Sequence, residues 1–159
     1  MLDLPPGVRQ ASAHDVPDIL RLIRELAAYE REPDAVEATE DGLRRWLFGE
    51  DSVASALVAE AEGRVVGMAL WFRTFSTWTG VPGIHLEDLY VEPDQRGSGL
   101  GKALLASLAR IAVDRGYRRV EWKCNALNAA SRRAAQRLGL SYEGVFRQAV
   151  VVKGRNRDS

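Results

Sequence analysis

The chain has one cysteine and two histidines in 159 residues, and that scarcity closes several routes. A single thiol, Cys124, makes no internal disulfide, and three scattered donors form no ligand cluster, so no metal site is expected. Neither sign of charge prevails, with 22 Lys and Arg against 22 Asp and Glu and a pI of about 6.8. No general basic field exists to collect phosphates, and nucleic acid is not an expected partner. No apolar run reaches the length of a membrane span, so no membrane partner is expected. The start, Met1-Leu2-Asp3 with Pro5 and Pro6, lacks the basic and apolar character of a secretory signal, and a cytoplasmic location is expected. With 46% hydrophobic and 28% charged residues, the composition is ordinary for a globular chain, and residues 1–159 are expected to form one domain.

Charge is nonetheless uneven. Six acids (Glu30, Glu32, Asp34, Glu37, Glu40, Asp41) surround the single base Arg31, and Lys153, Arg155 and Arg157 make a basic tail; both read first as solvated surface. Hydrophobic spacing sets the elements. A short strand over "VRQASAHD" precedes a helix with Val16, Ile19, Leu20, Ile23, Leu26 and Ala27 on one face, running to about Tyr29. Thr39 caps a second helix through Trp46 and Phe48. "SALVAEAEGRVVGMALWFRTF" is two strands joined at Glu62-Gly63. A loop leads to the strand "IHLEDLYVEP", then to a helix with Leu100, Leu104, Leu105, Leu108, Ile111 and Ala112 on one face, ending near Gly116. "YRRVEWKC" is a strand, "NAASRRAAQRLG" a short helix and "YEGVFRQAVVVKG" a final strand. The order β-α-α-β-β-β-α-β-α-β predicts a mixed α/β fold, one mixed sheet with helices on both faces.

The segment that asks for an explanation is Arg96-Gly97-Ser98-Gly99-Leu100-Gly101-Lys102, between a strand and a helix. A helix N-terminus offers unpaired amides and a partial positive charge, and a loop bare of side chains lets an anion reach them. It is not a Walker A loop, because the position six before Lys102 is Arg96 and Ala103 replaces the Ser or Thr. Nor is it a dinucleotide fingerprint, since Lys102 stands where the third glycine belongs.

The pattern R-x-x-G-x-G, after a strand and opening a helix, resembles the pyrophosphate-binding signature of the GNAT superfamily of acyl-CoA N-acyltransferases. Residues of about 10–115, with "LRLIRELAAYEREPDAV" and "LEDLYVEPDQRGSGLGKALL", are similar to the spermidine/spermine (diamine) N-acetyltransferase branch. "RRVEWKCNALNAASRRAAQRLGLSYEGVFRQAVVVKGRNRDS" is similar instead to the ribosomal-protein alanine N-acetyltransferases, with the join near Gly116 to Arg119, as in a chimera. In that second branch one more strand follows "GRNRD", so the resemblance implies a sheet wanting its seventh strand, and an open edge that a second subunit would pair with in a homodimer.

The resemblance implies acetyl-CoA as cosubstrate and direct acetyl transfer to the primary amine of a small amine or polyamine. The alternatives are a protein α-amino group as acceptor, or a coenzyme-binding fold that does not turn over. Arg96 through Lys102 would hold the pyrophosphate, and backbone groups of Leu89, Tyr90 and Val91 the pantetheine arm, with the amide of Tyr90 or Val91 facing the thioester oxygen. Asn128 and Ser131 fall on positions lining that arm. Tyr29 and Glu30 match acceptor-side residues, and Glu87 matches a substrate-contacting acid that could take the amine's proton. His85 is a second candidate base. Asp88 would point to the opposite face of a regular strand. The polyamine branch protonates the leaving thiolate with a tyrosine, where this chain has Ala135; Ser131 is the hydroxyl left for that role. Cys124 reads as an inert thiol.

Overall fold

The computed structural model describes residues 3–122 and the strand backbones of Ser141–Tyr142 and Gln148–Val151. The elements are β1 (Val8–Gln10), α1 (Val16–Tyr29), α2 (Glu40–Phe48), β2 (Ser55–Ala61), β3 (Arg64–Phe75), β4 (Pro82–Val91), α3 (Leu100–Arg115), β5 (Arg119–Trp122), β6 (Ser141–Tyr142) and β7 (Gln148–Val151). The helix expected over "NAASRRAAQRLG" lies outside the described residues.

Local signals explain most boundaries. Thr39 Oγ1 accepts from the Gly42 amide at 3.0 Å and caps α2. Glu62 and Gly63 take φ of 55° and 74°, the left-handed pair that a two-residue hairpin needs, and they turn β2 into β3. Gly116, at φ 77°, ends α3. Before α1, Asp15 accepts from the Ser12 amide at 2.7 Å and takes both terminal nitrogens of Arg9 at 2.8 and 2.9 Å, tying β1 to the helix start. The Arg9 hydrogen bonds hold the Asp15 carboxyl below its usual pKa.

The seven described strands form one sheet in the order β1-β2-β3-β4-β5-β7-β6. Each strand pair is antiparallel except β4 with β5. Alternation along the strands sorts the core into two layers. Leu57, Ala59, Ala69, Trp71, Leu86 and Val91 pack with Leu104, Leu108 and Ile111 of α3. Ala56, Val58, Met68, Leu70 and Tyr90 pack with Ile19 and Leu22 of α1 and Leu47 of α2 on the other face.

The C-terminal strand expectation is corrected. Instead of one strand over "YEGVFRQAVVVKG" and a missing seventh, there are two short antiparallel strands, and β7 is inserted between β5 and β6. Residues 143–147, and the segment after Val151 where a further strand was expected, lie outside the described residues.

Candidate active site along the fourth strand

Among the described residues, the parallel β4–β5 contact pairs Ile84, His85 and Leu86 with Val120, Glu121 and Trp122. The Glu92 amide donates to Val66 O at 2.9 Å, which makes Val91 and Gly67 a non-hydrogen-bonded pair of the antiparallel β3–β4 ladder. The N–H and C=O groups of Leu89 and Val91 consequently point away from β3. Tyr90, opposite Met68, directs its own toward β3. Of the three residues expected to line a coenzyme arm with their backbone, Tyr90 is thereby removed and Leu89 and Val91 remain. In this structure Val91 O accepts from Arg96 Nε at 3.0 Å.

A register shift puts Leu70 opposite Asp88 but Trp71 opposite Leu86, leaving Glu87 as the extra residue of a β-bulge. The bulge changes which side chains meet. Glu87 is exposed, with Oε1 3.9 Å from His85 Nε2, and His85 packs on Phe72 with ring centroids 4.8 Å apart. Asp88, two residues before Tyr90, shares Tyr90's face toward α1. Burial first, then the charges of Glu87 and of Glu30 at the end of α1, push its pKa up to about 6. The expected site residues do not include Asp88. The "LED" run carried it, but its setting comes from the bulge and from α1.

Around this acid pair, α1 and β4 are joined by hydrogen bonds. Tyr90 OH donates to Glu25 Oε1 at 3.2 Å, and burial followed by the Glu25 charge raises the Tyr90 pKa. Tyr29, 60% exposed, lies under the Arg96 guanidinium at 4.9 Å, and the Tyr90 ring faces the same guanidinium at 5.5 Å. Glu30 is exposed beside Tyr29. At the end of β4 the buried carboxylate of Glu92 is clasped by Arg21, and by Arg64 at 2.9 Å. Arg21 also reaches Val65 O at 2.9 Å. These bonds fix where the glycine segment begins.

That segment turns through Pro93–Gln95 and then through Gly97 and Gly99 at φ 87° and 88°. Neither would meet an atom within 4 Å with a Cβ added, so the left-handed backbone, together with open space above it, is what calls for glycine. Gly99 occupies the cap position of α3 with no side-chain cap, and the first intrahelical bond runs from Ala103 N to Gly99 O at 2.9 Å. The amides of Leu100, Gly101 and Lys102 are left without helical partners at the positive end of a 16-residue helix. Ser98 Oγ is committed to Gln95 O at 2.5 Å. An uncrowded row of amides at a helix start fits a diphosphate. Asn128, Ser131, Cys124 and Ala135 lie outside the described residues. Among the described residues no group of three or more His, Cys, Asp or Glu is placed to hold a metal ion, and no helix is long and apolar enough to cross a membrane.

Comparison with known proteins agrees with this geometry. The acetyltransferase (GNAT) family pattern matches residues 18–140. The pig thialysine N-epsilon-acetyltransferase is 43% identical over 117 residues, covering 69% of this chain and 68% of that protein. The human spermidine/spermine N(1)-acetyltransferase-like protein 1 is 40% identical over 113 residues, 67% of this chain and 16% of that protein. Among solved structures, a ribosomal-protein-alanine N-acetyltransferase from Brucella melitensis superposes with a TM-score of 0.74 at 24% identity, covering 91% of this chain and 98% of that one. With free amides opening α3 and a family match that spans most of its length, the chain belongs to the acetyltransferase (GNAT) family.

Proposed function

We propose that the β4 bulge is the reaction centre of an acetyl-CoA-dependent N-acetyltransferase, where a small amine or polyamine gives up a proton to Asp88 and receives the acetyl group. The observation that carries this reading is the β4 bulge, which sets part-buried Asp88, its pKa pushed up to about 6 by burial and by the charges of Glu87 and Glu30, just before the Leu89 and Val91 amides that point away from β3. A primary amine is mostly protonated at neutral pH, so it needs a base that is largely ionised there yet not too weak to accept a proton. Asp88 meets that condition. Glu87 and Glu30 supply exposed carboxylates that draw the cationic acceptor in, and the Tyr29 ring offers a face for it.

Acetyl-CoA supplies the activated acetyl group as a thioester. The amides from Arg96 through Lys102 hold its diphosphate, and the backbone groups of Leu89 and Val91 align its arm as an added strand. The Val91 amide is the donor best placed to steady negative charge on the carbonyl oxygen. Asn128 and Ser131 keep their proposed places along the arm, Ser131 as the hydroxyl that returns a proton to sulfur.

The thialysine and spermidine/spermine names of the relatives support a small amine or polyamine as acceptor. Among the described residues, the side chains of Glu30, Glu32, Asp34 and Glu37 form no ion pair, whereas Glu40 and Asp41 are held by Arg44 at 3.2 Å each. Four exposed or part-exposed acids in the segment that begins at Glu30, whose charge reaches Asp88, suit a polycation better than a monoamine. We read the chain as one cytoplasmic domain, joined from two branches of the family near Gly116 to Arg119. Mass spectrometry after incubation with acetyl-CoA and, separately, spermidine, thialysine and an alanine-starting peptide tests the acceptor. Acetylation of the peptide alone would refute the small-amine reading.

A further inference from the structure

Trp71 is 3% exposed, and among the described residues its indole N–H is the buried side-chain polar group without a hydrogen-bond partner. Buried indoles ordinarily find an acceptor, because an unmet donor forfeits its hydration for nothing. The same residue lines a recess of about 130 Å³ together with Ser52, Ser55, Arg73 and Arg115. Strand alternation gathers them. Ser55 pairs with Trp71 across β2 and β3, Arg73 follows two positions on, and these positions share the sheet face on which Leu57, Ala69 and Trp71 pack under α3. The last turn of α3 supplies Arg115, its guanidinium 5.5 Å from the Trp71 ring centroid.

The recess is chemically one-sided. Its side chains bring two guanidinium groups, two hydroxyls and an indole N–H, and among the described residues no carboxylate lines it. Among those residues neither Arg73 nor Arg115 is ion-paired. Of the acids adjacent in sequence, Asp51 is held by Arg45 at 3.4 Å, and Asp114 stands about 100° round α3 from Arg115. The C-terminal end of α3 opposes an anion with roughly half an elementary charge, against two full positive charges from the arginines. A cavity of about 150 Å³ holds the six heavy atoms of a benzene, so this recess suits the five of a phosphate. It lies at the opposite end of α3 from the glycine segment, about 24 Å along the 16-residue helix.

We propose that this recess binds a phosphate group, as the free ion or as the end of a small phosphomonoester. Arg73 and Arg115 take its oxygens through their planar guanidinium forks, and Ser52 and Ser55 donate from their hydroxyls. Arg115 is exposed and rests over the Trp71 face. On binding it swings onto the anion and uncovers the indole edge, so that one phosphate oxygen becomes the acceptor the Trp71 N–H otherwise has none of. The exchange trades a cation–π contact for a charge-assisted ion pair, the stronger of the two at an exposed side chain. The proposal does not depend on the acetyl-transfer reading.

Titrating the nitrogen-15-labelled full chain with inorganic phosphate, and separately with phenyl phosphate, at constant ionic strength tests it. The readout is the Trp71 indole N–H resonance, assigned by triple-resonance spectra. Two charge-assisted contacts correspond to a dissociation constant of about 0.1–5 mM. The Trp71 indole proton is expected to move downfield and saturate in that range, while the indole signals of Trp46 and Trp78 stay in place. Arg73→Gln and Arg115→Gln, both at exposed positions, are each expected to keep the fold and weaken binding about 10–100-fold. Tighter phenyl phosphate marks a monoester as the occupant and tighter inorganic phosphate the free ion, and either supports the site. A Trp71 indole that neither compound moves overturns the proposal, even if phosphate shifts the Leu100 to Lys102 amides, and so does undiminished titration in both variants.

Discussion

Replacing Asp88 with asparagine separates the two consequences of its burial. Its pKa stands near 6 rather than 3.8, a difference worth about 3 kcal/mol between its charged and neutral forms. The native state therefore binds this proton more tightly than the unfolded chain, and stability falls as pH rises from about 3.8 toward about 6. At pH 7 the carboxylate is charged at a net cost to the fold, so Asp88→Asn is expected to raise unfolding stability there by about 1–3 kcal/mol, with no gain at pH 3. Its activity should move the other way. A base with this pKa is about nine-tenths ionised at pH 7 and about one-tenth at pH 5, so kcat/KM of the wild type should fall near tenfold per pH unit below 6. Asp88→Asn should lose about 10²–10⁴-fold at pH 7 and with it the acid limb. Glu87→Gln removes the second-ranked cause while leaving burial, and should shift that limb down by roughly half a unit. Urea titrations at pH 3 and pH 7 and pH–rate profiles on a small amine measure both effects. An Asp88→Asn chain that is destabilised at pH 7, or that retains the wild-type acid limb, would refute the assignment.

Further expectations concern the coenzyme loop and the supports around it. Gly99→Glu places a carboxylate where the α3 amides meet a diphosphate, and should abolish the thermal stabilisation that CoA confers on the wild type; an unchanged CoA-induced shift would contradict the loop's role. Glu92→Gln leaves Arg21 and Arg64 without their buried carboxylate and should cost about 2 kcal/mol in denaturant unfolding, with a rise in KM for acetyl-CoA larger than any fall in kcat. Thr39→Ala should cost about 1 kcal/mol through the lost cap of α2 and leave both kinetic constants in place.

What the sequence disclosed was local. The Glu62-Gly63 turn, the Thr39 cap, the Gly116 stop and the glycine run before α3 are all set by residues within a turn of one another, so the chain spells them in order. The bulge is different: Glu87 becomes the extra residue only because Leu70 and Trp71 pair as they do, and no pattern within "LED" announces it. The ladder alternation, set by the pairing of Met68 with Tyr90, likewise turns the Tyr90 backbone groups toward β3, which no pattern within "LYV" announces. The clasp of Glu92 joins residues 71 positions apart, and the stacking of Arg96 on Tyr29 joins an expected coenzyme residue to an expected acceptor residue across the fold. The final pair of strands escaped for a third reason: two short strands close in sequence share the β-rich composition of one long one.

The alternation of the β3–β4 ladder leaves a kinetic signature along a single strand. Peptide hydrogens of Tyr90 and Glu92, locked into the ladder with β3, should survive long in heavy water, while those of Leu89 and Val91, which alternate with them and point away from β3, should be replaced early. Every second residue of one strand thus exchanges on a different clock, and slowing of the fast pair alone on adding CoA would locate the coenzyme arm without a crystal.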